Sequence, residues 1–179
     1  MPFDFQILEM PEIRLITPRQ FFDDRGYFLE SYKQTKFAEN GIPESFVQDN
    51  ISHSKRHVLR GLHFQSHPHM QGKLVMALQG VIFDVAADIR PGSKTFGQWL
   101  SVTLSSENHQ MLYIPAGFAH GFCVLSAHAT VLYKCTREYT PDYEDGILWN
   151  DPVLGIQWPV REPVLSEKDR MLPPLKKSN

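Results

Sequence analysis

The chain has 179 residues, 42% of them hydrophobic and 21% charged, and a formal net charge of −2. That length suits one domain with a sizeable buried core. So balanced a charge argues against a nucleic-acid or membrane-surface partner, since both call for a basic excess.

The opening ten residues carry Asp4 and Glu9 and do not read as a secretory leader. The longest apolar run, residues 74–87, is interrupted by Gln79, Gly80 and Asp84 and is too short for a membrane span. The cytoplasm is the expected compartment. Strand-like runs follow one another along the chain, at residues 13–17, 26–32, 46–52, 58–64, 73–85, 98–104, 110–114, 121–125 and 129–139. Turn residues such as Arg90-Pro-Gly-Ser93 and Ile114-Pro-Ala-Gly117 separate them. Helical signals are few: a short helix over residues 35–40 stopped by Gly41, and another opened by Ser166 as N-cap. Cys123 and Cys135 fall in apolar runs and read as reduced core thiols. No repeat or linker divides the chain, and only a tail from about residue 174 reads as frayed. The expectation is an all-β sandwich, jelly roll or barrel spanning residues 1–179, with a mouth fit for a small ligand.

Histidines raise the question of a metal. Pro115-x-Gly-x-x-His120 resembles the second half of the metal-binding signature of the cupin barrels. The first half asks for two histidines alternating on one strand, where this chain has His63-Phe-Gln65, with one. His67-Pro-His69 does alternate, but in a proline-containing loop. A metal-free site is the better reading.

Proton chemistry has more support. His63 is a candidate general base, with Asp169 a distant but available carboxylate to fix its tautomer. Each has an ordinary alternative, since a lone strand histidine is more often a satisfied core group. In a regular strand His63 shares a face with Leu59, Gly61 and Gln65 while Arg60 points the other way. For both to serve one site the strand must be irregular, and Gly61 is the expected place. Tyr133 shares its parity with Val131 and Cys135, and Lys73 with Val75 and Ala77, so both are expected to point inward. A lysine there suits an oxygen on which negative charge develops. Arg25, in a turn before a strand, is a candidate phosphate ligand. Gln48, Asp49 and Asn50 offer three polar side chains together, and Tyr139 is a candidate platform for a planar base.

In order, these pieces resemble the dTDP-4-keto-6-deoxyglucose 3,5-epimerases of rhamnose synthesis. The matching segments are Asp24-Arg-Gly-Tyr-Phe-Leu-Glu30, Gln48-Asp-Asn-Ile-Ser-His-Ser54, Leu59-Arg-Gly-Leu-His-Phe-Gln65, Gly72-Lys73, Pro115-Ala-Gly-Phe-Ala-His-Gly-Phe122, Tyr133-Lys134, Tyr139 and Leu165-Ser-Glu-Lys-Asp169. The resemblance implies a cofactor-free and metal-free cupin-type jelly roll with a few short helices, working as a homodimer on a dTDP-4-keto-6-deoxyhexose. It implies His63 as base, Asp169 as its orienting carboxylate, Tyr133 as acid, and Lys73, helped by Arg60, at the enolate oxygen. It further implies that Arg25, Glu30, Gln48, Asn50, Arg60 and Lys168 contact the nucleotide and sugar. His120 is expected to line the pocket, Tyr139 to stack on thymine, and Glu144 to lie nearby. A single-centre epimerase and a non-catalytic sugar-nucleotide binder are the competing readings.

Overall fold

A computed structural model describes residues 2–176, and its core is two facing antiparallel sheets. One sheet has six strands in the order β1 (Phe3–Ile7), β2 (Arg14–Pro18), β10 (Met111–Ile114), β7 (Lys73–Gln79), β12 (His128–Cys135) and β5 (Gln48–Lys55). The other has five: β13 (Glu144–Gly146), β6 (Leu59–Gln65), β11 (Phe118–Val124), β8 (Val81–Asp88) and β9 (Trp99–Ser105). A hairpin of β3 (Gln20–Asp23) and β4 (Gly26–Leu29) pairs with neither sheet. The helices are short, α1 at Gln34–Glu39 and α2 at Glu167–Arg170. The all-β jelly-roll expectation is met.

Alternation decides which side chains meet between the sheets. Val75 and Ala77 of β7, Val131 of β12, Ile82 and Ala86 of β8, and Phe122 and Val124 of β11 form one buried cluster, with Tyr133 packed against it. On the outer side of the six-stranded sheet, Phe37 of α1 and Ile42 pack on Ile16, Leu74 and Met111. The outer side of the five-stranded sheet is covered by the C-terminal segment, with Ile147, Leu154, Ile156 and Leu175 against Leu62, Val85 and Ala119.

Several boundaries differ from those expected. Residues 73–85 form two strands in different sheets, because Gly80 adopts φ +77° and turns the chain from β7 into β8. A Cβ there would lie 2.1 Å from the His128 carbonyl oxygen. Periodicity cannot show this, since both strands are apolar. The run from residue 129 ends at Cys135, short of residue 139, where Thr136 turns to bond Gly72. The run at 26–32 ends at Leu29, and β1, β3 and β13 were not anticipated, being short, edge or hairpin strands with little burial to mark them. The tail is held further than expected. Leu175 is buried and its N–H bonds the Asp151 carboxylate, while residues 177–179 lie outside the described part. Cys123 and Cys135 are free and buried, as expected.

Candidate active site

Between the mouths of the two sheets lies a cleft of about 290 Å³, lined by Gln48, Asn50, His63, Gln65, Gln71, Lys73, Tyr133, Tyr139 and Glu144. A larger cavity of about 570 Å³ opens beside Phe64, Ile89, Phe96, Ile147 and Leu175. It contains none of the four side chains expected to handle protons or the oxyanion, so the chemistry belongs to the smaller cleft.

β6 reaches this cleft through a break in its register. His63 pairs with His120 of β11, and Arg60 pairs with Phe122, so β6 uses one more residue than its partner over this stretch. The irregularity sits at Gly61, whose φ is +133°. One extra residue reverses the parity of Arg60 relative to His63, and the two then share the inner side. Arg60 crosses to the opposite sheet, where its Nε donates to Ser54 Oγ of β5 at 3.0 Å. Leu62, between them, turns outward into the cluster under the C-terminal segment. The bend expected at Gly61 is present.

His63 Nε2 lies 2.6 Å from Asp169 Oδ1. Asp169 is carried by α2, whose N-cap is Ser166 as expected, with Ser166 Oγ accepting the Asp169 N–H. Burial works to raise the Asp169 carboxyl. The bond to His63, the charge on that ring, the Ser166 hydroxyl and the Gly61 amide outweigh it and hold the carboxyl below its usual range. Opposite His63, on the other sheet, stand Lys73 and Tyr133, with the Lys73 Nζ 6.0 Å from the Tyr133 ring centre. Burial pushes the Tyr133 phenol up and the Lys73 ammonium down. The arrangement places an imidazole backed by a carboxylate on one wall and a protonated phenol on the other, with an ammonium beside the phenol. It is able to take a proton from one face of a bound carbon and return one to the other, while holding negative charge on an adjoining oxygen.

The outer part of the cleft is polar and cross-braced. Gln48 Nε2 donates to Asn50 Oδ1 at 3.0 Å, and Gln48 Oε1 accepts the Tyr139 N–H at 2.7 Å. Glu144 accepts from both the Tyr139 hydroxyl and Lys168 Nζ, the latter at 2.5 Å. Tyr139 is half exposed, leaving a ring face open at the rim.

Gln65 is a contributor that the sequence reading passed over except as a missing metal ligand. Its amide takes the Thr140 N–H and donates to the His69 and Glu138 carbonyls, fixing the loop that carries Tyr139. Gln71 also lines the cleft unpredicted. A buried glutamine in a strand was the available signal for Gln65, and nothing local marks Gln71.

Three expected positions are placed elsewhere, and a fourth is buried at the inner end of the cleft. Asp49 lies on the outer side of β5, where Lys134 Nζ holds both its oxygens at 2.7 Å. It alternates away from Gln48 and Asn50, so it is not a cleft residue. Arg25 is at the tip of the detached hairpin, bonded to Asp23 with its side chain 90% exposed. Glu30, just beyond that hairpin, faces Lys33 rather than the cleft. His120 is buried on the inner side of β11, directly across from His63, and is bonded to Asp84 at 2.8 Å. Among the described residues no group of three or more His, Cys, Asp or Glu side chains converges as metal ligands would.

A jelly roll with a histidine–aspartate couple facing a tyrosine defines an epimerase of the cupin type. Comparison with known proteins makes this specific. The sequence model for dTDP-4-dehydrorhamnose 3,5-epimerase matches residues 7–177. The dTDP-4-dehydrorhamnose 3,5-epimerase of Pseudomonas aeruginosa is 57% identical over 165 residues, covering 91% of each chain. The crystal structure of the 3,5-epimerase from Legionella pneumophila in complex with dTDP-4-keto-L-rhamnose superposes with a TM-score of 0.93 at 50% identity, covering 97% of this chain and 93% of that one. The Bacillus anthracis enzyme, solved with TDP and pyrophosphate bound, gives 0.92 at 47% identity, covering 96% and 100%. The chain belongs to the dTDP-4-dehydrorhamnose 3,5-epimerase family.

Proposed function

We propose that this protein epimerises dTDP-4-dehydro-6-deoxy-D-glucose at C3 and C5, giving dTDP-4-dehydro-L-rhamnose for rhamnose synthesis. The observation that carries the reading is His63 of one sheet, backed by Asp169 of α2, facing Tyr133 of the other sheet across a single cleft. His63 removes the proton from the carbon beside the C4 ketone, and the electron pair moves onto the carbonyl oxygen. Lys73, seconded by Arg60, holds that enolate oxygen. Tyr133 then returns a proton to the opposite face of the same carbon, inverting it, and both groups re-equilibrate with solvent before the second centre reacts. Asp169 keeps the His63 ring oriented and steadies its imidazolium form.

Gln48, Asn50, Glu144 and Lys168 hold the nucleotide and sugar at the rim, and the exposed Tyr139 ring stacks on thymine. His120 sits beside His63 at the buried end of the cleft. The chemistry uses no metal or redox cofactor. The working form is a homodimer in the cytoplasm, and the hairpin of one copy brings Arg25, with Glu30 near its base, to the cleft of the other. Exposed Phe21, Phe22, Tyr27 and Phe28 on that hairpin support this assembly. No helix in the described residues is long and apolar enough to cross a membrane.

Turnover of the keto-sugar nucleotide in deuterated water, followed by NMR, tests the reading. Deuterium at both C3 and C5 is expected. Label at one carbon alone means a single-centre epimerase, and no label with intact dTDP binding leaves only a binding module.

A further inference from the structure

At the buried end of the cleft, His120 and Asp84 make a second imidazole–carboxylate couple that the reaction as written leaves unused. His120 is the direct cross-strand partner of His63. It shares the inner side of its sheet with Phe122, and Asp84 lies between Ile82 and Ala86, all three in the central cluster. Its Nε2 is 2.8 Å from Asp84 Oδ1, and both side chains are almost wholly buried.

Asp84 differs from the other buried carboxylates. Asp88 is wrapped by Arg90, Ser93 and Thr95. Asp151 accepts the N–H groups of Val153, Leu154 and Leu175. Asp169 is held by His63 and Ser166. Asp84 has only His120, and its Oδ2 is buried with no hydrogen-bond partner among the described residues. A carboxylate with half its acceptor capacity unused in a core is costly unless positive charge stands nearby. Lys73 stands on the facing sheet, where burial disfavours its ammonium and the carboxylates of Glu144 and Asp84 oppose that effect.

We propose that Asp84 is a positioning residue for the epimerisation: it takes the Nε2–H of His120, fixing that ring and its tautomer beside His63. This rests on the epimerase reading of the same site. It assigns a task to an aspartate that touches no substrate and acts through His120.

The full-length protein with Asp84→Asn, His120→Asn and both together tests this. The amide is nearly isosteric but carries no charge and allows the other imidazole tautomer. Asp84→Asn is expected to lower kcat roughly 10²-fold while KM and dTDP affinity stay within about twofold, a smaller loss than the roughly 10⁴-fold for a carboxylate that orients the base itself, because His120 is not the base. The double variant is expected to be no slower than the worse single one, since the two residues act as a unit. Nitrogen NMR of the His120 ring should show the proton on Nε2 in the parent protein and a mixture in Asp84→Asn. That spectrum needs no turnover. If the parent fails to convert the keto sugar, the epimerase reading falls, while the tautomer result still decides the His120–Asp84 couple. Unchanged kcat, an unchanged His120 spectrum, or additive losses in the double variant overturn the proposal. So does a joint fall of kcat, dTDP affinity and melting temperature, which marks Asp84 as merely structural.

Discussion

Lys73 carries its ammonium into a wall otherwise built from Val75, Ala77 and Val131. Burial lowers its proton affinity, whereas burial raises that of Tyr133. The downward shift at Lys73 and the upward shift at Tyr133 both favour the lysine as the group behind the alkaline limb of kcat, which is expected to follow loss of its positive charge. Lys73→Met is expected to cost about 10²- to 10³-fold in kcat, the usual loss when a group holding an oxyanion is removed. Lys73→Arg keeps the charge at all accessible pH, so its alkaline limb should move upward even if its maximum falls. A pH–rate profile measures both, and an arginine variant with the parent's alkaline limb would take the titration away from Lys73. The inward aim of Lys73 and Tyr133 was legible in the chain, since alternation along a strand is local. The partners of His63 and His120 were not. Asp169 lies 106 residues from His63, and Asp84 lies 36 from His120. In the sequence, Asp84 reads only as a break in an apolar run.

At the scale of elements, the irregular passage of β6 past β11 is what joins Arg60 and His63 in one place. Gly61 has φ +133°, and a Cβ added there would lie 2.5 Å from Gly121 Cα and 2.9 Å from the His120 carbonyl oxygen. These are backbone atoms of the neighbouring strand, so no side-chain rotation relieves the clash. Gly61→Ala is expected to destabilise the fold by about 3 kcal/mol or more, combining an unfavourable φ with displacement of β11. Turnover should fall as well, because β11 carries His120 and β6 carries His63. Urea denaturation measures the first effect, and an unshifted midpoint would show that β6 accepts a side chain there. The need for a bend was readable from parity, because Arg60 and His63 are three apart. Its form was not, because a bulge is defined by the partner strand, and that pairing joins segments nearly 60 residues apart.

For the whole molecule, the β3–β4 hairpin is the outlying feature. It pairs with neither sheet, leaves Phe22 74% and Phe28 66% exposed, and carries Arg25 at its tip. Such an apolar patch on a free arm suits contact with a second copy. Replacing Phe22 and Phe28 together by glutamate is expected to give a monomer in sedimentation equilibrium. Turnover should be lost with it, while the isolated chain keeps its fold because neither ring belongs to its described core clusters. A fully active monomer would show that each cleft works without the other copy's Arg25.

By itself the sequence determined the strand-rich architecture, the inward set of Lys73 and Tyr133, and the need for a break at Gly61 if Arg60 and His63 share a site. Each follows from the two-residue period of a strand and from glycine's tolerance of positive φ, which are properties of neighbouring residues. The tertiary structure decided that Gly80 sends β7 and β8 into different sheets and that Gln65 clamps the Tyr139 loop. It also decided that Asp169 and Asp84 each end against a histidine. Those outcomes depend on register between strands distant in sequence, and register is set by how the apolar faces of the two sheets close on each other, which no local window contains.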